Sequence, residues 1–289
     1  MTRIRTWGRG QLTGARSDFE ENGYHAAPGF VDPEICDRIV AEAESFYARE
    51  GVAAEKADRT MNLHHESPTA RSLLTGRRLT RLVRELLGAK PFFLQSIYFN
   101  NGSQQNPHSD YMFMSTRPER QLAGVWIACE DVLAEAGPLV YYPGSQRIPV
   151  PHIEERYATT GPSVSSEIES REAELRAAHA ERMKLTGESL FKCVFYARWS
   201  GDLHGELERG GYEPRHFLAK KGDLIVWHAN LVHGGAPVSD PGTTRKSLVA
   251  HYLTRRVTRY TDMNFVDTQH ALSLGDIDRN RAAVLQARD

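Results

Sequence analysis

The chain has 289 residues, with 36 Lys+Arg against 37 Asp+Glu and a formal net charge of −1 when its histidines are neutral. A nucleic-acid binder would show a basic excess, and a disordered tail would show high net charge with few aromatics; this composition has neither. Hydrophobic content of 40% with Gly 23 is ordinary for a folded chain, and the length allows one or two domains with a sizeable core.

Three cysteines, Cys36, Cys129 and Cys193, lack CxxC spacing and are odd in number, so neither a disulfide framework nor a cysteine zinc site is expected. The opening MTRIRTWGRGQLTG is basic but has no apolar run behind it, unlike a secretory signal. No stretch approaches the ~18 uninterrupted apolar residues of a membrane span. A cytoplasmic protein with no nucleic-acid or membrane partner is the expectation, as a monomer or small homo-oligomer.

In chain order, Asp32 to Gly51 reads as a helix: Asp32 can cap it, Pro33 fits its first turn and Gly51 can end it. Ile35, Ile39, Ala43, Phe46 and Tyr47 give it one buried stripe. A second helix carries Leu79, Leu82, Val83, Leu86 and Leu87 up to Gly88. After Pro91 the texture changes to short runs rich in aromatic and branched residues, predicting strands near 92–99, 124–129, 139–142, 191–197, 223–228 and 245–254. Ser165 to Lys184 is charged, with Glu and Arg at helical spacing, and reads as a helical insertion. Strands without regular helices between them predict an antiparallel sandwich or barrel supported by the N-terminal helices. The expected organisation is one domain over 1–289: helical support 15–90, a β core 91–255 with an insertion about 153–205, and a polar tail 256–289.

The 12 histidines are the unusual entry in the composition. His108-Ser109-Asp110 places two ligand types at i and i+2, on one side of an extended segment. Two histidines and a carboxylate on one face, with the opposite positions open, suit non-heme Fe(II). Alone the motif is weak: with 12 His and 14 Asp in the chain, about 0.6 matches arise by chance. His64/Glu66, His152/Glu154, His179/Glu181 and His204/Glu206 repeat the spacing with Glu. Context separates them. His179 and Glu181 fall in the predicted charged helix, where i and i+2 point apart, whereas His108 follows FFLQSIYF and a polar loop, where a barrel rim would carry a ligand. Downstream, KKGDLIVWHANLVHGG offers a turn, an apolar strand, and His228 and His233. Arg245 then opens an alternating strand with Ser247 and Val249 on its face, and an inward arginine needs an anionic partner.

The order His-x-Asp, then His, then Arg resembles the phytanoyl-CoA dioxygenase family of Fe(II)/2-oxoglutarate oxygenases. ENGYHAAPGFVDPEICDRIV is similar to that family's opening strand and helix, and QSIYF leading to HSD to its first metal segment. VWIACEDVLAEAGPLVYYPGSQR is similar to its central hairpin, and GDLIVWHANLVHGG with TRKSLVAHY to its closing segment. The resemblance implies a mainly β fold with α, a double-stranded β-helix (jelly-roll, cupin-like barrel) with supporting helices. It implies that His108, Asp110 and His233 ligate iron and that Arg245 binds the distal carboxylate of 2-oxoglutarate. Gln95, Ile97 and Trp126 fall where the family lines the co-substrate site. The HGG context and the spacing to Arg245 favour His233 over His228. One departure stands out: the family often has Ser two residues after the distal histidine, and here it is Gly235. His251 shares the face of Arg245 by parity but is expected to lie beyond the cavity as an ordinary, partly buried histidine.

The implied activity is a dioxygenase using Fe(II), 2-oxoglutarate and O₂ to hydroxylate an unactivated C–H, releasing succinate and CO₂. Asp110 argues against halogenation, since related halogenases have a small non-ligating residue there; it leaves desaturation, epimerisation and ring closure open, which share the same oxidant. Tyr111, Met112, His65, Arg198, Trp199, Asp202 and His204 are candidate cavity residues, and their polar setting points to a small polar metabolite or natural-product intermediate. A cupin-like metal enzyme without 2-oxoglutarate, or a non-catalytic barrel that binds a metal or ligand, are the competing readings.

Overall fold

The structure, a computed structural model, describes residues 9–53, 57, 59–186, 188–262 and 267–268. Helices α1 (Arg9–Asn22) and α2 (Pro33–Glu50) flank strand β1 (Tyr24–Ala27); β2 (Arg59–Met61), α3 (Pro68–Thr75) and α4 (Arg77–Leu87) follow. The strands β3 (Pro91–Phe99), β4 (Met114–Arg117), β5 (Leu122–Ala128) and β6 (Leu139–Tyr141) precede two long helices, α5 (Ile153–Thr186) and α6 (Leu190–Gly210). The chain then runs through β7 (Arg215–Phe217), β8 (Leu224–His228), β9 (His233–Gly235), β10 (Ser247–Thr254), β11 (Arg259–Asp262) and β12 (Asp267–Thr268).

The predicted caps of α2 are in place. Asp32 accepts a hydrogen bond from the Glu34 amide at 2.9 Å, and Gly51 adopts a left-handed φ of 68°. The α4 stripe Leu79, Leu82, Val83, Leu86 and Leu87 is buried as expected, and Gly88 caps the helix in the left-handed region.

A six-stranded antiparallel sheet, β1-β8-β5-β10-β3-β2, forms the larger wall, and β7-β6-β9 forms a smaller one. Strand alternation divides the large sheet's residues between two cores. Tyr98, Val125, Ile127, Leu224, Val226, Leu248, Ala250 and Tyr252 pack outward with residues of α1 to α4. Trp126, Ala128, Ile225, Trp227 and Val249 point the other way and meet Leu139 and Tyr141 of the small sheet. The two walls with their helical layer make the expected double-stranded β-helix, a jelly-roll barrel. All three cysteines are buried and free, and no helix among the described residues is long and apolar enough to cross a membrane.

Three expectations need correction. The run 191–197 is not a strand but lies within α6, whose buried Leu190, Cys193, Val194, Tyr196, Trp199, Leu203 and Leu207 recur at helical spacing. A short apolar run fits a buried strand or a buried helix equally, and the deciding signals, the Ser189 cap and the stripe's continuation to Leu207, lie outside it. The expected polar tail begins instead with β11, which pairs with β4 in register Arg259↔Arg117 to Asp262↔Met114; most of its remainder lies outside the described residues. The helical insertion itself is longer than 165–184, since α5 and α6 together run from Ile153 to Gly210.

Candidate metal centre

His108 and His233 come from segments 125 positions apart, and the backbone joins them directly. The His108 amide donates to the His233 carbonyl at 2.9 Å and the reverse bond is 2.8 Å, so the rings lie 4.4 Å apart. Asp110 opens a single helical turn, Asp110–Met112, pinned by a hydrogen bond from the Tyr111 amide to the Ala229 carbonyl at 3.0 Å. One ligand atom from each of His108, Asp110 and His233 lies within 4.8 Å of the others, and these three are the one His/Cys/Asp/Glu group of metal-binding geometry among the described residues. All three are buried.

The hydrogen bonds around the triad select its ligand atoms. His108 Nδ1 sits 2.8 Å from the Asn106 carbonyl and His233 Nδ1 sits 3.0 Å from the Leu231 carbonyl. A carbonyl can only accept, so each Nδ1 carries the proton and each Nε2 presents its lone pair inward. The Asp110 carboxylate is divided in the same way. Its Oδ2 accepts from Trp227 Nε1 at 2.6 Å and lies 3.4 Å from His251 Nε2, while Oδ1 faces His233 Nε2 at 3.6 Å. Oδ1 is thereby the oxygen free for a metal.

Electrostatics agree with that assignment. Burial, helped by the neighbouring His233, pushes His108 down to about 3, and burial also lowers His233, so both rings are neutral ligands at ordinary pH. For Asp110, burial alone would raise the carboxyl, but His251, His233 and His108 outweigh it and hold the group below the usual carboxylate range. Two neutral imidazoles and a carboxylate are the donor set of a non-heme Fe(II) face with open positions opposite.

Arg245, two residues before β10, is 2% exposed. Its Nη1 donates to the Gly137 carbonyl at 2.9 Å and its guanidinium lies 5.9 Å from the rings of Phe99 and Trp126. Among the described residues it forms no ion pair, Nε has no hydrogen-bond partner, and burial lowers its pKa to about 10, which leaves it charged. Gln95 lies on the same inner face with Nε2 3.1 Å from His251 Nδ1; Ile97 stands opposite Val249, and Trp126 is buried there with its Nε1 unpartnered.

Other candidates fall elsewhere. His228 alternates to the outer face of β8, packs 6.0 Å from Phe19, and accepts from the Asn230 amide at 3.0 Å. His251 is not a peripheral histidine: it is 3% exposed and reaches Asp110, a place its parity with Arg245 signalled. Trp227 was missed, because an apolar strand gives no sign of which indole will find a carboxylate. Among the cavity candidates, His65 is exposed, Arg198 pairs with Glu167, Asp202 with Arg156, and His204 with Glu208. Trp199 packs beneath Arg156 in the insertion. Tyr111 donates to the Thr116 carbonyl and packs with Met112 in a further apolar cluster that includes Leu94, Phe195 and Trp199. The site's flank is aromatic instead: Phe113 lies 5.5 Å from the His108 ring and Tyr196 of α6 lies 5.3 Å from Phe113.

Comparison with known proteins places this geometry. A mouse protein named phytanoyl-CoA dioxygenase domain-containing protein 1 is 33% identical over 115 residues, which are 35% of this chain and 40% of that relative, so the match spans less than half of either. Among solved structures, the epimerase SnoN in complex with Fe3+, alpha ketoglutarate and nogalamycin RO superposes with a TM-score of 0.61 at 19% identity, over 94% of this chain and 90% of that one. EctD from S. alaskensis with 2-oxoglutarate and 5-hydroxyectoine gives 0.57 at 16% identity, over 88% and 79%; both likenesses support the barrel fold. The family model for Phytanoyl-CoA dioxygenase (PhyH) matches residues 19–247, a span that holds His108, Asp110, His233 and Arg245, and on that match the chain belongs to the phytanoyl-CoA dioxygenase family.

Proposed function

We propose that the chain is a non-heme Fe(II)- and 2-oxoglutarate-dependent dioxygenase that hydroxylates an unactivated C–H of a small metabolite or natural-product intermediate, releasing succinate and CO₂. The observation that carries the proposal is the pairing of the buried His108–Asp110–His233 face with Arg245, a buried cation lacking an acidic partner among the described residues. A buried charge is stable only when paired, and a dicarboxylate bound between metal and guanidinium supplies both a chelating end and the missing anion.

His108 and His233 through Nε2 and Asp110 through Oδ1 would hold the iron, and Arg245 would hold the distal carboxylate. When bound, iron and 2-oxoglutarate would supply the electrons that activate O₂, and with it the oxidising power toward substrate. This chain's residues orient those groups. Trp227 fixes the Asp110 carboxylate, the Asn106 and Leu231 carbonyls fix the imidazoles, and the apolar residues of the inner core exclude water. Of the residues that suggested a polar substrate, Arg198, Asp202 and His204 are held in ion pairs, His65 is exposed, and Tyr111, Met112 and Trp199 pack in the interior, whereas the flank beside His108 is Phe113 and Tyr196. A substrate presenting an apolar or ring face to that flank is the better fit.

Succinate release tests the reading. Aerobic protein with Fe(II) and 2-oxoglutarate should form succinate, faster with an accepted substrate, and Arg245→Met should lose this turnover. Full activity of that variant with a metabolite pool would favour a cupin-like enzyme that does not use 2-oxoglutarate.

A further inference from the structure

The two histidine ligands are oriented by different parts of the chain. His233 Nδ1 lies 3.0 Å from the Leu231 carbonyl, in the barrel's own turn between β8 and β9. His108 Nδ1 lies 2.8 Å from the Asn106 carbonyl, and that oxygen has a second donor: Tyr196 Oη of α6 reaches it at 3.3 Å. A carbonyl oxygen has two lone pairs, so one acceptor can serve both. Tyr196 also meets His108 through rings, since it lies 5.3 Å from Phe113 and Phe113 packs edge-on 5.5 Å from the His108 ring. Two separate routes thus run from one side chain of the insertion to one ligand.

Tyr196 is itself held. It is 3% exposed, and the Arg182 guanidinium, near the end of α5, sits 4.5 Å from the centre of its ring while pairing with Glu188 at 2.9 Å. One helical turn further on, Ser200 Oγ donates to the next carbonyl, that of Pro107, at 3.0 Å. The two bonds differ in what lies beyond them. The Asn106 carbonyl also holds the His108 ring, whereas among the described residues no ligand ring bonds the Pro107 carbonyl. Fixing a ligand imidazole through its other nitrogen sets both ring orientation and metal affinity. We propose that Tyr196 is a positioning residue for His108, so that the α5–α6 insertion completes the metal centre instead of only covering the barrel. The barrel alone orients His233, while the His108 half of the face depends on α6 being docked. This rests on the reading of His108, Asp110 and His233 as metal ligands.

The test is titration of the metal-free protein with Co(II), a spectroscopic stand-in for Fe(II), followed by proton NMR of the loaded protein. In such a complex the Nδ1–H proton of each bound imidazole is shifted well clear of the other signals by the unpaired electrons. Tyr196→Phe keeps the ring contacts and removes the donor. It should weaken Co(II) about threefold to tenfold, the worth of one neutral hydrogen bond, and should move one of the two imidazole N–H resonances while the other stays in place. Ser200→Ala removes a bond of the same kind from the same helix. It should bind Co(II) within about twofold of wild type and leave both resonances where they are. Without metal, both variants should melt lower by about the same 2–4 °C. If Tyr196→Phe binds Co(II) like wild type with both resonances unmoved, Tyr196 only packs. If Ser200→Ala weakens the metal as much as Tyr196→Phe, general docking of α6 is at work and the specific role of Tyr196 is overturned. In both cases the triad stands as the metal site, whereas a folded wild type that takes up no metal would overturn both readings.

Discussion

At the residue scale, Asp110 is the side chain around which the site is organised. One oxygen accepts from Trp227, with His251 Nε2 3.4 Å away, and the other is left for metal. That division depends on Gly124, since a Cβ there would lie 2.3 Å from Trp227 Cε2 and push the indole off the carboxylate. Partners that orient metal ligands are typically worth 10- to 100-fold in affinity. Trp227→Phe, which keeps the ring and removes the donor, should therefore weaken Fe(II) or Mn(II) binding by about that factor, as read by titration of the metal-free protein. Wild-type affinity in that variant would show that the indole only packs. Arg245 gives the opposite signature. Removing a buried, unpaired charge often stabilises a fold, so Arg245→Met should melt no lower than wild type without ligand yet lose the upward shift that 2-oxoglutarate gives the wild type. The clustering of His108, Asp110 and His233 and the burial of Arg245 were anticipated because their order along the chain is specific where each spacing is not. The role of His251 was half legible, from parity alone. Trp227 was not legible, because its partner comes from 117 positions away.

At the element scale, caps and turns were the most readable features. The turn Gly222-Asp223 is required for a reason the sequence only hinted at. Gly222 has φ +89°, a Cβ there would lie 2.2 Å from the Val31 carbonyl oxygen, and the Asp223 carboxylate accepts from the Gly29 and Lys220 amides. Gly222→Ala combines a disfavoured backbone conformation with a clash against main chain and should cost about 2–4 kcal/mol in urea unfolding; a loss below about 0.5 kcal/mol, the usual range for a surface substitution, would contradict this. The element misread, 191–197, shows where local pattern fails. FKCVFYA is apolar enough for a buried strand, and only its continuation as a stripe along α6 separates the two. The docking of α6 also ties the insertion to the metal segment, because Tyr196 Oη donates to the Asn106 carbonyl and Ser200 Oγ to the Pro107 carbonyl, the two residues before His108.

At the scale of the whole molecule, the count of 12 histidines acquires a second meaning. Few of them belong to the site, but several are buried and neutral. Burial lowers His228 to about 4, and its Nε2 has no hydrogen-bond partner. In the unfolded chain this ring titrates near its ordinary value, about 6.5, so below that pH the unfolded state binds more protons than the folded one. Its contribution is complete above about pH 6.5 and is lost as pH falls toward about 4. Between pH 7 and pH 5 this one ring should account for about 2 kcal/mol of lost stability. His228→Gln should shrink the drop in urea midpoint over that range, and an unchanged drop would mean the ring is solvated. The overall barrel was legible from strand texture and motif order. The shortest strands, such as β7 and β9, were not, because three residues carry no period and exist only where β6 lies between them.

The central claim is that His108, Asp110 and His233 hold a metal to which a 2-oxo acid, anchored by Arg245, adds as a chelating ligand. Anaerobic mixing of the metal-free protein with Fe(II) and 2-oxoglutarate measures this directly through the weak visible charge-transfer absorption of the chelate. Wild type should develop the band at one equivalent of iron, His233→Ala should not, and Arg245→Met should require far more 2-oxoglutarate to reach it. A folded wild-type protein that binds iron without ever developing the band, or one whose band is indifferent to His233, would contradict the account.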